Sequence, residues 1–323
     1  MSKTLVVGVG SALVDLLAHE EDAFLKQIDA AKGGMILVDE PLIQKVVIQL
    51  TGQPTMVPGG SACNTLVGVG RLGNDASFVG KCGQDGLGDL LEEGLIASGV
   101  HPRLFRSEQP TGRVLSIITP DAQRSMLTFL GASSELSISE ITPDCFAGAA
   151  VVHVEGYLLF NRDLITTVVT TAKQAGARVS LDLASYTVVE QAKPFLEGLV
   201  DDCVDILMAN EDEARVFTGQ TDESKSLTLL SEKVETAVLK LGERGSVISH
   251  RGEIVETAPA GSSDIIDTTG AGDLWASGFL YGLVNDLPLE QCGRIASACG
   301  YEVCRVVGAG IPHEGWERIK GLL

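Results

Sequence analysis

The sequence predicts an α/β protein in which helices cover both sides of a twisted, mostly parallel β-sheet, with a small β lid beside it. Three observations support this class. Short β-branched runs alternate with helical patterns, the runs are almost continuously apolar, and one hairpin pattern interrupts the alternation. The length of 323 residues suits a single α/β domain.

Six apolar runs bounded by turn residues predict the strands of the main sheet. They lie at 5–9, 77–80, 151–155, 179–183, 206–209 and 237–241. Continuous apolar character is expected of strands buried on both faces of a parallel sheet. Helical patterns fall between them at 87–98, 162–175 and 224–233. This alternation indicates βαβ units, which place helices on both faces of the sheet.

A lid is predicted from segments that break this rhythm. The runs 112–119 and 124–130 are strand-like and are separated by a turn at 120–123, which indicates an antiparallel hairpin. Shorter strand candidates lie at 35–38 and 55–57. We therefore expect one domain over 1–323, with a lid built from segments near 13–58 and 110–131. No repeat or long linker divides the chain.

The charge balance argues against polyanionic partners. Lys and Arg total 24 against 43 Asp and Glu, which gives a formal charge of −19. A surface of this sign repels phosphate backbones and anionic lipid, so we expect neither nucleic acid nor a membrane as partner. A small phosphorylated ligand can still bind at helix N-termini, where backbone amides supply local positive potential.

The cysteines and the N-terminus predict a cytoplasmic protein. The seven cysteines form no C-x-x-C pair and lie mostly in apolar stretches, as expected of buried thiols in a reducing compartment. The first apolar run is broken by Gly8 and Gly10, so it is too short for a signal peptide or a membrane span.

Three familiar motifs are incomplete. The Gly8-Val9-Gly10 turn has Leu13 where a dinucleotide fingerprint requires a third glycine. Cys82 follows Gly80 and Lys81 where a P-loop would have Ser or Thr. The five histidines show no ligand spacing, so a zinc enzyme is not predicted.

The most informative segment is 267–273, Asp-Thr-Thr-Gly-Ala-Gly-Asp, which precedes a helical pattern at 274–283. Gly270, Ala271 and Gly272 expose backbone N–H groups at a helix start, which is a site for anions. Asp273 alone is explained equally well as a first-turn acid that the helix dipole stabilises. Together, the four residues predict phosphoryl transfer, in which the amides stabilise the phosphoryl charge and Asp273 takes the proton of the attacking hydroxyl.

At this point the chain resembles the ribokinase-like (PfkB) kinase family. Segment 267–273 matches the family's C-terminal signature, and segment 59–65, continuing to 71–73, is similar to its N-terminal signature. The resemblance covers essentially the whole chain. It implies a three-layer α/β/α sandwich with a β lid over the sugar, ATP as co-substrate, and Mg²⁺.

The resemblance assigns four residues to the acceptor. The matching glycines, Gly59 and Gly60, let substrate hydroxyls approach the backbone, and Asn64 reaches a hydroxyl from the following helix. Asp15 corresponds to an aspartate that bridges two sugar hydroxyls. Without the resemblance, a glycine pair before a helix is a turn, and an aspartate after a strand is a turn former.

Other matching residues are implied at the nucleotide. Asn210 and Glu213 organise Mg²⁺ and its waters, although a capped helix start explains them as well. Lys240, Gly242 and Gly245 match a nucleotide-binding turn, in which the family often has Thr at the position of Lys240. A plain hairpin turn is the alternative for the two glycines.

Two further residues complete the implied site. By resemblance, Asp267 helps to hold a monovalent cation such as K⁺ beside the anion-binding turn. The segments 32–35 and 111–126 are most similar to adenosine-kinase-like members. In the second of these, Arg124 reaches the phosphates from the closed lid; its alternative is a solvated turn residue.

The predicted activity is ATP-dependent phosphorylation of a primary hydroxyl on a sugar or nucleoside, with adenosine as the first candidate. Phe129, Tyr157 and Phe160 are the candidate surfaces for a purine, although core packing is their alternative use. A kinase for ribose, fructose or 2-keto-3-deoxygluconate is the second hypothesis, and a non-catalytic binding protein is the third. We expect a monomer or a lid-mediated homodimer.

Overall fold

A computed structural model describes residues 4–121 and 123–323. The strands in those residues are β1 (Val6–Val9), β2 (Leu13–His19), β3 (Met35–Leu37), β4 (Thr55–Gly59), β5 (Ala76–Gly83), β6 (Val100–Ser107), β7 (Gly112–Ile118), β8 (Arg124–Phe129), β9 (Val151–Glu155), β10 (Arg178–Asp182), β11 (Ile206–Asn210), β12 (Thr236–Lys240), β13 (Ser246–His250) and β14 (Glu253–Thr257). The helices there are α1 (Asp22–Gln27), α2 (Glu40–Ile48), α3 (Ser61–Arg71), α4 (Gly86–Ala97), α5 (Arg162–Gln174), α6 (Tyr186–Cys203), α7 (Glu211–Thr218), α8 (Glu223–Ser231), α9 (Ala271–Val284), α10 (Leu289–Cys304) and α11 (His313–Lys320).

The main sheet has the strand order β14-β13-β12-β11-β10-β9-β1-β5-β6. In this spatial order, the seven strands β12, β11, β10, β9, β1, β5 and β6 are parallel. The hairpin β13–β14 extends the sheet with antiparallel pairing. The predicted mostly parallel sheet is confirmed, and so are its six predicted strands. Four strands of the described residues were not predicted, namely β2, β6, β13 and β14.

Alternate residues of each central strand enter different cores, which explains the near-continuous apolar runs. On β11, Leu207 and Ala209 pack with α5 to α8, whereas Ile206 and Met208 pack on the side of α3, α4, α9 and α10. Two helical layers therefore enclose the sheet. Within the described residues, no helix is long and apolar enough to cross a membrane.

The small sheet has the order β3-β8-β7-β2-β4 and draws its strands from 13–59 and 112–129. The predicted hairpin is its antiparallel β7–β8 pair. One face is apolar, where Leu115 and Ile117 of β7 join Ile43 and Val46 of α2 in a core. Asp15 of β2 lies on the opposite face. Side chains alternate along a strand, and the neighbours of Asp15, Val14 and Leu16, are part of that core.

Candidate active site

Polar side chains end four neighbouring strands of the main sheet. Glu155, Asp182, Asn210 and Lys240 are the last residues of β9, β10, β11 and β12. Strand alternation turns all four toward the face that carries α3 and α9, because the residues before them pack on the opposite face. Since ligands of open α/β sheets bind at the carboxyl ends of strands, this edge is the expected position of a site.

Asp273 lies in the first turn of α9, above this edge. Gly270 adopts φ 72° and ψ 2° at the helix N-cap, a left-handed conformation that favours glycine. The first bond of the helix runs from the Leu274 N–H to the Gly270 carbonyl at 2.8 Å. The N–H groups of Gly272 and Asp273 precede that bond and are available to an anion. The helix begins at Ala271, three residues before the predicted pattern, because Gly270 already makes the turn.

Three residues of α3 hold Asp273 in place. The Ser61 hydroxyl donates to Oδ1 at 2.7 Å, and the Asn64 amide donates to Oδ2 at 3.0 Å. The Thr65 hydroxyl donates to the Asp273 backbone carbonyl at 3.1 Å. Burial raises the pKa of the Asp273 carboxyl to about 6, although the hydrogen bonds from Asn64 and Ser61 lower it. The carboxylate is therefore a stronger base than a solvated aspartate and still largely ionised at neutral pH.

Asp15 lies on β2, 8% exposed, next to the turn that begins α3. A Cβ atom at Gly59 would lie 2.5 Å from Asp15 Oδ1, so only glycine leaves space for this carboxylate. Burial raises the pKa of Asp15 to about 7; Arg124 lowers it and Asp273 raises it further. The acids at 15 and 273 are thus close enough to affect each other electrostatically.

Lys240 forms a buried ion pair with Asp182, with 2.6 Å between Nζ and Oδ2. A Cβ atom at Gly272 would lie 3.2 Å from the same Nζ, so the ammonium also borders the turn at 270–272. Burial opposes the charge, but Asp182 and Glu213 outweigh it and raise the pKa of Lys240. The lysine therefore stays charged beside the place where Gly270 to Gly272 would hold a phosphate.

Asn210 and Glu213 form a complete capping box at the start of α7. Asn210 Oδ1 accepts from the Glu213 N–H at 2.9 Å, while Glu213 Oε2 accepts from the Asn210 N–H at 2.8 Å. Glu213 Oε1 accepts from the Asn210 side-chain amide at 2.8 Å. Burial raises the pKa of Glu213, and Lys240 opposes that effect. Both carboxylate oxygens already accept a donor, so an Mg²⁺ ion would be held through water, which suits its preference for retained waters.

Arg124 extends from the start of β8 toward Asp267, with 3.7 Å between Nη1 and Oδ2. Within the part of the chain that the structure describes, its buried Nη1 has no hydrogen-bond partner. Asp267 itself accepts from the Thr269 N–H at 3.0 Å, the Thr269 hydroxyl at 2.8 Å and the Gly308 N–H at 2.8 Å. Asp267 therefore braces the turn that leads into Gly270, and Arg124 brings an incompletely bonded cation to it.

Gly242 and Gly245 form the turn between β12 and β13. Their φ angles are 55° and 93°, and the Leu241 N–H donates to the Gly245 carbonyl at 2.8 Å. A Cβ atom at Gly245 would lie 2.0 Å from the Thr257 carbonyl oxygen, so the turn packs closely on β14. These features account for both glycines structurally, as the hairpin alternative predicted, and place the turn directly after Lys240.

The structure brings most predicted site residues to one edge of the main sheet. Hydrogen bonds, close approaches or mutual electrostatic effects link Asp15, Gly59, Asn64, Asp273, Gly272, Lys240, Glu213 and Asn210. Sequence reasoning gave no role to Ser61, Glu155 and Asp182. Glu155 ends a predicted strand and Asp182 is the last residue but one of another, and the strand-end rule for open sheets was the signal that could have identified them.

Several known proteins are similar to this chain in sequence and in structure. A family model described as pfkB family carbohydrate kinase matches residues 27–315. The chain belongs to this family. A probable sugar kinase protein from Rhizobium etli has a similar structure, with a TM-score of 0.90, 32% identity and 100% coverage of both chains. An adenosine kinase structure from Sinorhizobium meliloti gives 0.90, 30% identity and the same coverage. A fructokinase of Escherichia coli is 28% identical over 268 residues, which are 78% of this chain and 87% of that protein.

The family identifies the general reaction. Its members are phosphotransferases with alcohol acceptors, and the chain is a sugar or nucleoside kinase with a small-molecule substrate. Kinases of this family use ATP, generally with Mg²⁺. The residues on this edge fit such ligands, because free amides, Lys240 and Arg124 offer positive charge to phosphates while Asn210 and Glu213 offer oxygen atoms.

Proposed function

We propose that this kinase transfers the γ-phosphoryl group of ATP to a primary hydroxyl of a nucleoside, with adenosine as the first candidate. The observation that carries the proposal is the arrangement around Asp273. Its basic carboxylate follows directly on the anion-binding turn, and it contacts Asn64 and lies near Asp15. An acceptor hydroxyl between these residues would face both the base and the phosphoryl group.

In this mechanism each residue has a defined task. Asp15 and Asn64 orient the acceptor hydroxyls, and Asp273 removes the proton from the attacking oxygen. The amides of Gly272 and Asp273, together with Lys240 and Arg124, stabilise the negative charge of the transferred group. The Ala271 amide, which the sequence also suggested, already donates to the Thr268 carbonyl at 3.1 Å. ATP supplies the phosphoryl group. Asn210 and Glu213 would hold Mg²⁺ through water, and the ion would supply positive charge near the phosphates.

Asp267 would act through the turn that it braces. Its carboxylate fixes Thr269, which keeps Gly270 and the following amides in position. A monovalent cation beside this turn stays a prediction of the family resemblance. We expect such a cation to raise the affinity for ATP, which a titration with KCl against choline chloride would measure.

Exposed aromatic side chains that follow the ends of β9 and β10 support a nucleoside acceptor. Tyr157 lies two residues after Glu155, is 37% exposed, and has its pKa raised to about 12 by burial together with Glu155 and Asp273. Phe160 and Tyr186 are 64% and 50% exposed near the ends of β9 and β10. Such surfaces suit the apolar faces of a purine. Phe129 is less suited, because the Arg113 guanidinium stacks over its ring at 5.6 Å.

A free sugar or sugar acid is the second candidate acceptor. On the small sheet, the Ser116 hydroxyl is fully buried and has no partner among the described residues. Ser116 pairs in register with Leu17, on the same face as Asp15. An additional hydroxyl-binding group there favours a compact polyol such as fructose, ribose or 2-keto-3-deoxygluconate.

The two candidates are separated by measuring ADP release with MgATP and adenosine, inosine, ribose, fructose or 2-keto-3-deoxygluconate. We expect adenosine to give the highest kcat/KM. The Tyr157→Ala variant should raise KM for adenosine about tenfold and leave KM for a free sugar unchanged. Preference for a free sugar would replace the nucleoside assignment. Binding of an acceptor without any turnover would support the non-catalytic alternative, and Asp273→Asn prepared in parallel controls for contaminating kinases.

We also propose that the whole chain acts as one kinase unit in which the small sheet is the lid. Its edge strand β3 exposes Met35, Ile36 and Leu37 by 48%, 43% and 65%. Exposed apolar edge strands pair readily with a second copy, which supports a lid-mediated homodimer over a monomer. Light scattering of the purified protein measures this, and Ile36→Lys should shift a dimer toward the monomer.

A further inference from the structure

Glu155 is a buried carboxylate that the phosphoryl-transfer mechanism does not use. It ends β9 next to β1, where the strand order of the main sheet reverses direction, and it is 1% exposed. Oε1 accepts a hydrogen bond from the Ser11 N–H at 2.8 Å, and Oε2 accepts one from the Ala62 N–H at 3.0 Å. Both carboxylate oxygens are thus committed to backbone amides.

The Ser11 amide lies in the first of the two places where the first half of the lid joins the main body, and the Ala62 amide lies two residues after the second. Residues 10–12 connect β1 of the main sheet with β2 of the lid, and Gly60 connects β4 of the lid with α3. We call them the first and the second crossing. A Cβ atom at Gly60 would lie 2.2 Å from the Ser11 carbonyl oxygen, and one at Gly10 would lie 2.3 Å from Glu155 Oε2. The crossings therefore touch each other and pack on the carboxylate without room for a side chain.

We propose that Glu155 is a positioning residue that ties both crossings together and so sets the distance between Asp15 and Asn64. Asp15 is the third residue of β2, directly after the first crossing, and Asn64 is in the first turn of α3, directly after the second. A carboxylate shared by the two crossings couples the lid to α3, the helix whose Ser61 and Asn64 hydrogen-bond Asp273. The proposal rests on the proposed function, in which the acceptor lies between Asp15 and Asn64.

Asp85 provides a matched control, because it holds a different crossing. It accepts from the Thr111 N–H at 2.8 Å before β7 and from the Gly88 N–H at 2.9 Å at the start of α4. Among the residues that the structure describes, Asp85 accepts hydrogen bonds from Gly88 and Thr111, which lie outside α3 and β2. Loss of this carboxylate should loosen the other side of the lid and leave the distance from Asp15 to Asn64 unchanged.

The test compares wild type, Glu155→Gln and Asp85→Asn. Glutamine has the same shape but presents an NH₂ group to one of the two N–H donors, so only one crossing stays bonded. For Glu155→Gln we expect the acceptor KM to rise roughly tenfold or more, with the ATP KM changed less than twofold. Hydrogen exchange without ligands should be faster at whichever of the Ser11 and Ala62 amides faces the glutamine NH₂ group, and unchanged at Val152 and Val179 in the main sheet. Asp85→Asn should leave the exchange of Ser11 and Ala62 as in wild type.

Unchanged exchange at both amides in Glu155→Gln would overturn the proposal, and so would equal increases in the acceptor and ATP KM. If wild type phosphorylates none of the acceptors, the proposed function fails, and the exchange result alone then decides for or against the tie between the crossings. If Glu155→Gln does not fold, Gly10→Ala takes its place, since its methyl group would displace the carboxylate. Faster exchange at Ser11 or Ala62 is expected there as well.

Discussion

Asp273 and Glu155 both face the start of α3, but the chain holds the two carboxylates in opposite ways. Asp273 accepts from the side chains of Ser61 and Asn64, which can rotate toward a ligand. Glu155 accepts from the main-chain N–H groups of Ser11 and Ala62, which cannot leave without moving the backbone. Burial raises the pKa of both acids. The comparison teaches that a raised pKa alone does not identify a base; the freedom of its partners must be considered as well.

The largest expected effect is a fall in kcat, which distinguishes Asp273 from Glu155. Asp273→Asn removes the proton acceptor and should lower kcat by roughly 10²–10⁴, with acceptor affinity close to wild type because the amide keeps the size and polarity of the side chain. Steady-state rates and calorimetric titration with the acceptor measure the two quantities. A rate within tenfold of wild type would assign proton removal to another group. Glu155→Gln should instead act mainly on the acceptor KM.

The next effect concerns Lys240, the buried cation beside Gly272. Lys240→Met leaves Asp182 without its partner at 2.6 Å, and both side chains are largely buried, so the free energy of unfolding should fall by roughly 3–5 kcal/mol. The double variant Lys240→Met, Asp182→Asn should recover much of this loss in urea unfolding. The ATP KM should stay raised in both variants, because the cation near Gly272 is absent. Equal ATP affinity in all three proteins would exclude a phosphate-binding role for Lys240.

A smaller effect is expected in the pH dependence of stability. The pKa of Asp15 is about 7 when folded against 3.8 as its ordinary value, so the folded state retains a proton that the unfolded state has lost. The stability linked to Asp15 is therefore fully present below about pH 4 and lost as the pH rises through 7. Asp15→Asn should stabilise the protein by roughly 2–4 kcal/mol at pH 8, and by much less at pH 5.

Glu155→Gln sharpens this comparison, because it should destabilise the protein at pH 8 despite the raised pKa of Glu155. The glutamine leaves one buried main-chain N–H without an acceptor, which costs about 1–3 kcal/mol. Urea unfolding at pH 5 and 8 measures both variants. Stabilisation by Glu155→Gln would mean that its two hydrogen bonds do not hold the crossings.

Much of the fold could be predicted because the central strands are buried on both faces and therefore apolar throughout. The strands that escaped prediction lack this signal. The strand β6 at one end of the sheet contains Pro102 and two arginines, and β14 at the other end exposes Glu253, Ile254 and Glu256. The strand β2 was missed because Asp15 interrupts its apolar pattern, although it is the residue that points into the site.

The site was predictable where one short segment contains the chemistry, as at 267–273. Contacts between distant segments were not predictable. Ser61 and Asp273 are 212 residues apart, and Lys240 and Asp182 are 58 apart, so no local pattern relates them. Glu155 was missed for another reason, because an acid at the end of an apolar strand is indistinguishable in sequence from a turn residue until its partners are known.

The most direct test of the account is the pH dependence of phosphoryl transfer in a single turnover, with wild type and Ser61→Ala. Asp273 has a pKa of about 6, so the wild-type rate should fall as the pH drops below about 6. The hydrogen bond from Ser61 lowers that pKa, and its loss should move the acid limb upward by roughly one pH unit. The pKa of Asp15 is about 7, but the Ser61 hydroxyl donates to Asp273, so its loss should move the limb of Asp273. An acid limb that stays in place in Ser61→Ala would contradict Asp273 as the base.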